Sequence, residues 1–425
     1  MKKKLLFILI DCLRADACFE TERKIKTPTI DILSKSGVSF TKAVSATSTT
    51  SPSVASIMTG LYPFSHGIEG LIGHKLNPDC VTIAEVFKRN GYKTCAMVTG
   101  PLMNELGLDR GFDEYLFRNS HDTLYTGFEK ELLLKMGELS KGPAPWFLFV
   151  HLFELHLPRK LLPEFDSNWF GNNSYERALS SLDSQLDIIL RELNLDNTII
   201  VITGDHGENV TNALLETFFW KYKRRLIPLR RSLLSTKRRN RHVWMGHGCH
   251  VYDPLIRVPL IFVGHDIFPP GRVIDGLVSH VDIYPTIVNA LGLSVLPEAV
   301  MTGMDGRSLM PLLKGEKMPE RPVYISACGR EIREEDRLEG LRTSDWKFIF
   351  APHNPKIRPE LYNIKDDPDE SRNLASTMPD MVKKFKEELA VLKSMGEARL
   401  RTPEMKMVDE EIEKVQGKLR ELGYL

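Results

Sequence analysis

The chain alternates short apolar runs with amphipathic stretches over most of its length, and this alternation constrains the fold more than any other feature. The apolar runs are rich in β-branched and aromatic residues and lack the alternation typical of a strand with one face in water. Strands of this kind, separated by helices, predict a large, mainly parallel α/β sheet with helices on both sides. The runs are "KLLFILID", "KTCAMVT", "APWFLFVHLFE", "NTIIVITGDHGE" and "RVPLIFVG".

The pattern changes near residue 315, where short strands around turn residues replace the long apolar runs. The segments "RPVYISACG", "EGLRTSDWKFIFAP" and "ELYNI" indicate a small antiparallel sheet, and two charged helices follow them. We therefore predict a catalytic domain at 1–314 and a C-terminal α+β subdomain at 315–425. An insertion at about 218–244 has many Lys and Arg residues and no acidic residue. It is either a solvated basic excursion or a lid that contacts an anionic polymer or a lipid head group.

The charge, the lengths of the apolar segments and the cysteine content of the chain argue against several classes of protein. The 425-residue chain has a formal net charge of +1, which argues against a specific nucleic-acid partner. The apolar stretch of "MKKKLLFILIDCLRAD" is too short for a signal peptide, and no later segment has the apolar length of a transmembrane helix. The six cysteines form no CxxC pair, which favours a reducing compartment. We expect a cytoplasmic protein without a transmembrane segment.

Polar residues occur where the predicted strands end. Asp11 follows the first strand, and Asp205 and His206 follow the strand that begins near residue 197. The carboxyl ends of parallel strands meet at one edge of a sheet, where ligands bind. Together with the hydroxyl of Thr50, these side chains predict a divalent metal site, and the imidazole favours Zn or Mn over Ca.

The segment "TTSPSVASIMTGLYPFSHGI" has the signals of a helix N-terminus. We expect Thr50 or Ser51 to cap the helix and Pro52 to be its first residue. The exposed N–H groups and the positive end of the helix dipole favour an anion beside Thr50. His66, further along this segment, is expected to be structural.

Eight stretches spread over nearly the whole chain can be compared with known sequence patterns: "DCLRAD", "TSPSVASIMTGLYPFSHG", "FLFVHLFELHLP", "TGDHGE", "GHGCHVYDPLIRVPLIF", "SHVDIYPTIVNALG", "GLRTSDWKFIF" and "ELYNIKDDPDESRNLA". In these stretches and in their order, the sequence resembles the sulfatase branch of the alkaline phosphatase superfamily. The resemblance implies an alkaline phosphatase-like fold and a metal-dependent ester hydrolase.

The resemblance also implies roles for individual residues. Asp11, Asp205 and His206 would hold the metal, and Thr50 occupies the position of the nucleophile, where it is also a metal ligand. His156 matches the histidine of a "DPHxP"-type segment. His247 matches a histidine or lysine that precedes a later strand. These two histidines would bind the transferred anionic group or assist the leaving group.

The chain departs from the sulfatase pattern at positions specific for sulfate. Sulfatases carry Cys or Ser in "CxPSR", which is converted to formylglycine, whereas this chain has Thr50 there and Val54 in place of the arginine. The second early aspartate of the family is Cys12, and the "GKWHLG" lysine motif is absent. Threonine has no route to formylglycine, so no formylglycine is expected.

These departures favour phosphoryl over sulfuryl transfer. A sulfated threonine needs water to attack sulfur, whereas phosphorus accepts a second in-line attack readily when its equatorial oxygens are neutralised. We therefore predict a metal-dependent hydrolase of phosphate mono- or diesters with Thr50 as nucleophile. Two alternatives stay open: a sulfuric ester hydrolase that works without formylglycine, and a non-catalytic anion-binding protein on a sulfatase frame.

Overall fold

The structure is a computed structural model of the chain. It describes residues 2–20, 23–193, 197–210, 246–264, 266–295, 303–328, 334–399 and 405–422. The basic insertion predicted at about 218–244 lies outside these residues.

An eight-stranded mixed sheet forms the centre of the molecule, with the strand order β4-β3-β5-β1-β6-β7-β2-β8. Five of its pairings are parallel, and the two pairings that β7 makes are antiparallel. The strands are β1 (Lys4–Ile10), β2 (Val38–Val44), β3 (Lys93–Val98), β4 (Glu114–Phe117), β5 (Trp146–Leu152), β6 (Thr198–Gly204), β7 (Arg257–Val263) and β8 (Arg272–Ser279). The predicted sheet, mixed and mainly parallel, is confirmed.

The central strands are apolar on both faces because helices cover both sides of the sheet. In β1, Phe7 and Leu9 belong to the core on one side, whereas Ile8 and Ile10 belong to the core on the other side. Side chains alternate between the two faces of a strand, so a strand between two helical layers is apolar at most of its positions. After Lys4 at the start of β1, the next polar residue is Asp11, where β1 leaves the sheet.

Helices flank this sheet and follow the small sheet toward the C-terminus. Those in the described ranges are α1 (Ala15–Phe19), α2 (Pro28–Ser36), α3 (Thr50–Thr59), α4 (Pro63–His66), α5 (Ile83–Arg89), α6 (Phe128–Lys141), α7 (Ser174–Arg191), α8 (Asp253–Ile256), α9 (Ile283–Leu291), α10 (Met310–Leu313), α11 (Pro379–Glu397) and α12 (Asp409–Glu421). None of these helices combines the length and the apolar character that a membrane crossing requires.

A second, antiparallel sheet has the order β12-β11-β10-β9, which confirms the small sheet predicted in the C-terminal part. Its strands are β9 (Val323–Ala327), β10 (Leu338–Arg342), β11 (Trp346–Phe350) and β12 (Glu360–Asn363). Strand β9 reaches the segment that leads into α3, because Ser326 donates its N–H to Ala46 O (2.9 Å) and accepts from Ser48 N (3.1 Å). The small sheet thus contacts the segment just before Thr50. The domain boundary at residue 314 stays a prediction.

The N-terminus of α3 differs from the predicted one. The helix begins at Thr50 after the N-cap residue Thr49, whose side chain makes no capping hydrogen bond, and Pro52 is the third helical residue rather than the first. Proline is tolerated there because the first four N–H groups of a helix have no acceptor within the helix. Because Thr49 rather than Thr50 is the N-cap residue, the hydroxyl of Thr50 is available to groups outside the helix.

The six cysteines all lie in described segments, and all are free thiols. Five of them are buried, whereas Cys249 is half-buried. The cytoplasmic location expected from the cysteine pattern stays a prediction.

Candidate active site

Thr50 lies at the carboxyl ends of the central strands, buried between two polar side chains. Its Oγ1 lies 3.3 Å from Asp11 Oδ2 and 3.2 Å from His206 Nε2. Asp11 follows β1, and His206 comes two residues after the end of β6. Because β1 and β6 are parallel neighbours, both residues reach the same edge of the sheet. The hydroxyl therefore has two acceptors for its proton.

Asp205 is held by the backbone through one of its carboxylate oxygens. Oδ1 accepts hydrogen bonds from the N–H groups of Cys12 (3.0 Å) and His206 (2.7 Å). Oδ2 is buried and makes no hydrogen bond within the described residues. Burial and the nearby charge of Asp11 raise the pKa of Asp205 above its ordinary value. A carboxylate oxygen buried in this way needs a cation or a proton.

The first turn of α3 is tied to the same residue. The hydroxyls of Ser45 and Ser53 each donate to the backbone oxygen of Asp205 at 2.6 Å, and Ser53 Oγ also lies 3.1 Å from His280 Nδ1. These bonds fix the distance between the Thr50 helix and the end of β6. Sequence reasoning did not assign a role to Ser53 or His280, whose contacts join residues that are distant in the sequence.

His151, in β5, belongs to this cluster although the sequence analysis assigned it no role. Its Nδ1 lies 3.1 Å from the carbonyl oxygen of Thr99, which can only accept, so Nδ1 carries the proton. In the neutral ring, Nε2 then presents a lone pair, 3.5 Å from Asp11 Oδ2. Nε2 is buried and makes no hydrogen bond in the described part of the chain.

The cluster fits a divalent cation. Ligand atoms of Asp11, His151 and Asp205 lie within 4.8 Å of one another, and two of their buried atoms have no hydrogen-bond partner in the described ranges. Two carboxylates would neutralise a dication, and the nitrogen donors favour Zn or Mn over Ca. His206 Nδ1 lies 2.8 Å from the carbonyl of Gly207, so its Nε2, facing Thr50, is also available as a ligand.

The two other predicted histidines lie beside this cluster. The ring centroids of His206 and His247 are 4.2 Å apart, and those of His156 and His247 are 5.2 Å apart. The ring of His156 stacks on Phe153 with a centroid distance of 4.3 Å. All six side chains predicted for the site therefore lie in one connected cluster at the end of the large sheet.

A carboxylate that the sequence analysis did not assign accompanies His247. Glu208 Oε2 lies 3.3 Å from His247 Nδ1. Although burial opposes the charged forms, this pairing raises the pKa of His247 and lowers the pKa of Glu208 to about 2. Burial lowers the pKa of His156 to about 4, against the opposing charge of Asp11. Near neutral pH, His156 is therefore neutral, while Glu208 favours the protonated form of His247.

Known proteins similar to this chain include both sulfatases and phosphonate hydrolases. Arylsulfatase K of Mus musculus is 26% identical over 217 residues, which are 49% of this chain and 33% of that protein. This chain thus spans about a third of the length of the arylsulfatase K relatives it matches.

Two solved structures show the same fold over almost the whole chain. The complex of Ps i-CgsB with k-i-k-neocarrahexaose has a TM-score of 0.71 at 20% identity, covering 99% of this chain and 97% of that one. The phosphonate monoester hydrolase of Agrobacterium radiobacter has a TM-score of 0.68 at 18% identity, covering 93% and 96%. Likeness at this identity establishes the fold.

Two family models match the chain. The one described as N-sulphoglucosamine sulphohydrolase, C-terminal, matches residues 241–395. The one described as Sulfatase matches residues 3–293, well over half of the chain, and includes every residue of the site cluster. The chain belongs to the sulfatase family.

Proposed function

We propose that the chain is a metal-dependent hydrolase of phosphate mono- or diesters, with Thr50 as its nucleophile. The observation that carries the proposal is the position of Thr50 Oγ1, between Asp11 Oδ2 and His206 Nε2. A free aliphatic hydroxyl is a poor nucleophile at neutral pH, so it needs an adjacent acceptor or a cation. Asp11, Thr50, Asp205 and His206, with His151 as a further ligand, would hold a divalent cation, which would supply Lewis-acid activation of the hydroxyl.

The first chemical step is an in-line attack of Thr50 Oγ1 on phosphorus. The Oγ1–P bond forms, the bond from phosphorus to the leaving oxygen breaks, and the hydroxyl proton leaves toward Asp11 Oδ2. His247, held by Glu208, is placed to bind an anionic phosphoryl oxygen or to protonate the leaving oxygen. His156, with its low pKa, provides a neutral imidazole beside it.

Water then releases the phosphoryl group from Thr50. This second step favours a phosphoester over a sulfate ester because phosphorus accepts the attack readily, while a sulfated threonine has no internal route for expelling sulfate. The fold likeness to a phosphonate monoester hydrolase is compatible with this choice. Because the chain has sulfatase relatives, the second candidate function is a sulfuric ester hydrolase that works without formylglycine.

The decisive experiment traps the intermediate. The protein is loaded with metal, quenched during turnover of a slow phosphodiester, and digested for mass spectrometry. We expect a phosphoryl group on Thr50. A label on Ser51, or full activity of Thr50→Ala without any label, would exclude the covalent mechanism.

Two variants and an ester panel complete the test. We expect Thr50→Ala to lower kcat by orders of magnitude with metal content largely intact, and Thr50→Ser to retain measurable activity because its hydroxyl remains. One metal-loaded preparation is assayed with sulfate esters and with phosphate mono- and diesters. Faster sulfate release would favour the second candidate, and turnover of no ester would favour an anion-binding protein.

A further inference from the structure

Three buried or nearly buried side chains form a compact triangle beside the Thr50 cluster. Cys12 Sγ lies 3.6 Å from His247 Nδ1 and 3.7 Å from Glu208 Oε2, and the last two atoms are 3.3 Å apart. Cys12 and Glu208 are fully buried, and His247 is nearly so. The mechanism proposed above does not use the thiol of Cys12, and it uses Glu208 only to hold His247.

The sides of this triangle match the spacing of zinc ligands. Zinc binds sulfur at about 2.3 Å and nitrogen or carboxylate oxygen at about 2.0–2.2 Å. At a tetrahedral angle these bond lengths place the ligand atoms about 3.3–3.6 Å apart. A single zinc ion in contact with Cys12, Glu208 and His247 therefore needs movements of only a few tenths of an ångström.

The backbone of Cys12 is held in a conformation that is uncommon for its residue type. Its φ of 62° lies in the left-handed region, which is unfavourable for residues other than glycine, asparagine and aspartate. The Cys12 N–H donates to Asp205 Oδ1 (3.0 Å), and its carbonyl accepts from the hydroxyl of Tyr175 (2.9 Å). These two bonds keep the side chain in the triangle.

We propose that Cys12, Glu208 and His247 form a second cation site, distinct from the site of Asp11, Thr50 and Asp205, and that it selects zinc. Thiolate is a ligand that Zn prefers and that Mg, Ca and Mn do not, and an imidazole also suits Zn. A nitrogen of His206 lies within 4.8 Å of ligand atoms of both Cys12 and His247, so the His206 ring adjoins both sites. The fourth position on the zinc is left for a water molecule or a substrate oxygen.

The charges of the site balance when zinc is bound. The thiolate and the carboxylate each carry one negative charge and the imidazole is neutral, so a Zn²⁺ ion makes the buried group neutral. The thiol of Cys12 donates to Asp11 Oδ1 at 2.8 Å, and zinc binding releases this proton to the solvent.

Binding of this zinc is independent of the proposed function, and only its use in catalysis rests on that function. There it would take over from His247 the binding of a phosphoryl oxygen or of the leaving oxygen, beside the first cation, as in other two-metal sites. The experiments below therefore measure binding with zinc and cobalt alone, without a substrate.

Metal analysis after equilibrium dialysis against zinc tests the stoichiometry. We expect two zinc ions per wild-type chain and one per Cys12→Ser chain, with the second site weakened at least about 100-fold. Cys18→Ser is the matched control, since Cys18 is also buried but lies outside the triangle, and it should keep two. A Cys12→Ser variant that retains both zinc ions would overturn the proposal.

Cobalt substitution tests the thiolate directly in the wild-type protein. A bound cobalt ion ligated by Cys12 gives a sulfur-to-cobalt charge-transfer band, which should persist in Cys18→Ser. The band needs no variant, so it remains informative if Cys12→Ser fails to fold. One bound ion without the band overturns this second site and leaves the proposed function standing, whereas no bound ion overturns both.

Discussion

At the scale of single residues, Asp205 shows how one side chain has both a structural and a chemical task. Oδ1 accepts two backbone hydrogen bonds that join the ends of β1 and β6, while Oδ2 makes none among the described residues. Substitutions at this position can therefore separate the charge of the carboxylate from its role in the fold.

We predict that Asp205→Asn lowers metal retention and kcat together, each by about 100-fold or more. The amide oxygen can still accept the two N–H bonds, but the negative charge that would balance the cation is lost. The metal content and kcat should both fall, while the melting temperature of the metal-free protein changes little. Normal metal content in this variant would contradict the site.

The sequence identifies some residues of the cluster and not others for a physical reason. Asp11, Asp205 and His206 follow apolar runs, so their position at a strand end is visible in the pattern. His151 lies within the apolar run of β5, where it resembles a core residue. Its partner across the sheet is Leu9, two residues before Asp11, and this pairing depends on which strands are neighbours. Local sequence does not contain that information.

Glu208 lies in the segment "TGDHGE", but its contact with His247 could not be predicted from the sequence. The two residues are 39 positions apart, and the segment between them includes the basic insertion. The proposed acid and zinc roles of this pair therefore depend on the three-dimensional contact alone.

At the scale of elements, the strands of the large sheet that were missed are β2, β4 and β8. β4 and β8 are its two edges, and β2 lies next to β8. Polar or small residues weaken the apolar signal of a strand: Thr41 and Lys42 in β2, and Asp275 and Gly276 in β8. β7 was identified as a strand, but its antiparallel direction depends on how the chain returns to the sheet. Central strands were predictable because burial on both faces requires an apolar run.

Two glycines in the C-terminal helices provide a matched test of packing. A Cβ on Gly396 of α11 would lie 2.4 Å from a ring carbon of Phe64, whereas nothing lies within 4 Å of a Cβ on Gly417 of α12. We predict that Gly396→Ala destabilises the protein by about 1–3 kcal/mol through overpacking. Gly417→Ala should stabilise it by about 0.5–1 kcal/mol. Denaturant unfolding of both variants measures these changes, and equal effects would rule out the packing of α11 on α4.

His66 connects α3 and α4 in its neutral form. Its Nδ1 accepts from Ile68 N and its Nε2 lies near Ser56 Oγ, both at 3.1 Å, and burial lowers its pKa to about 3. These bonds agree with the structural role expected for this histidine.

A pH prediction follows from the low pKa of His66. The unfolded chain binds a proton on this ring below about pH 6.5, but the folded chain does not, so the contribution of His66 to stability falls as the pH is lowered. Between pH 7 and pH 5 the difference in unfolding free energy between wild type and His66→Asn should shrink by about 2 kcal/mol. Asparagine retains an acceptor for Ile68 N and does not titrate. A difference that is constant with pH would contradict the burial of this ring.

At the scale of the whole molecule, a buried ion cluster joins the small sheet to the segment before β7. Lys347 of β11 is fully buried, contacts Asp253 of α8, and lies 2.6 Å from Glu370 and 3.1 Å from the carbonyl of Val251. Arg342 also contacts Asp253, at 3.3 Å. A buried cluster of this kind is sensitive to the loss of one member because the remaining charges are left without compensation.

We predict that Lys347→Met destabilises the protein by about 3–5 kcal/mol, because Asp253 and Glu370 lose the buried cation that both of them contact. Lys383→Met is the control: Lys383 is exposed and lies 3.9 Å from Glu387, and an exposed pair of this kind contributes at most about 0.5 kcal/mol. Chemical denaturation, followed by fluorescence and by circular dichroism, gives both values. If the two substitutions lower the free energy of unfolding by similarly small amounts, the buried ion cluster around Lys347 does not have the predicted role in stability.

The hydrogen bonds between Ser326 and the segment before Thr50 have a consequence for hydrogen exchange. Ser48 and Ser326 lie on opposite sides of the boundary predicted at residue 314, yet each N–H is protected only while the other segment is in place. The two amides should therefore exchange at the same rate in native-state deuterium labelling, as members of one cooperative unit. Opening of the small sheet would then release the segment that precedes Thr50. Substrate turnover would therefore stop well before the large sheet unfolds.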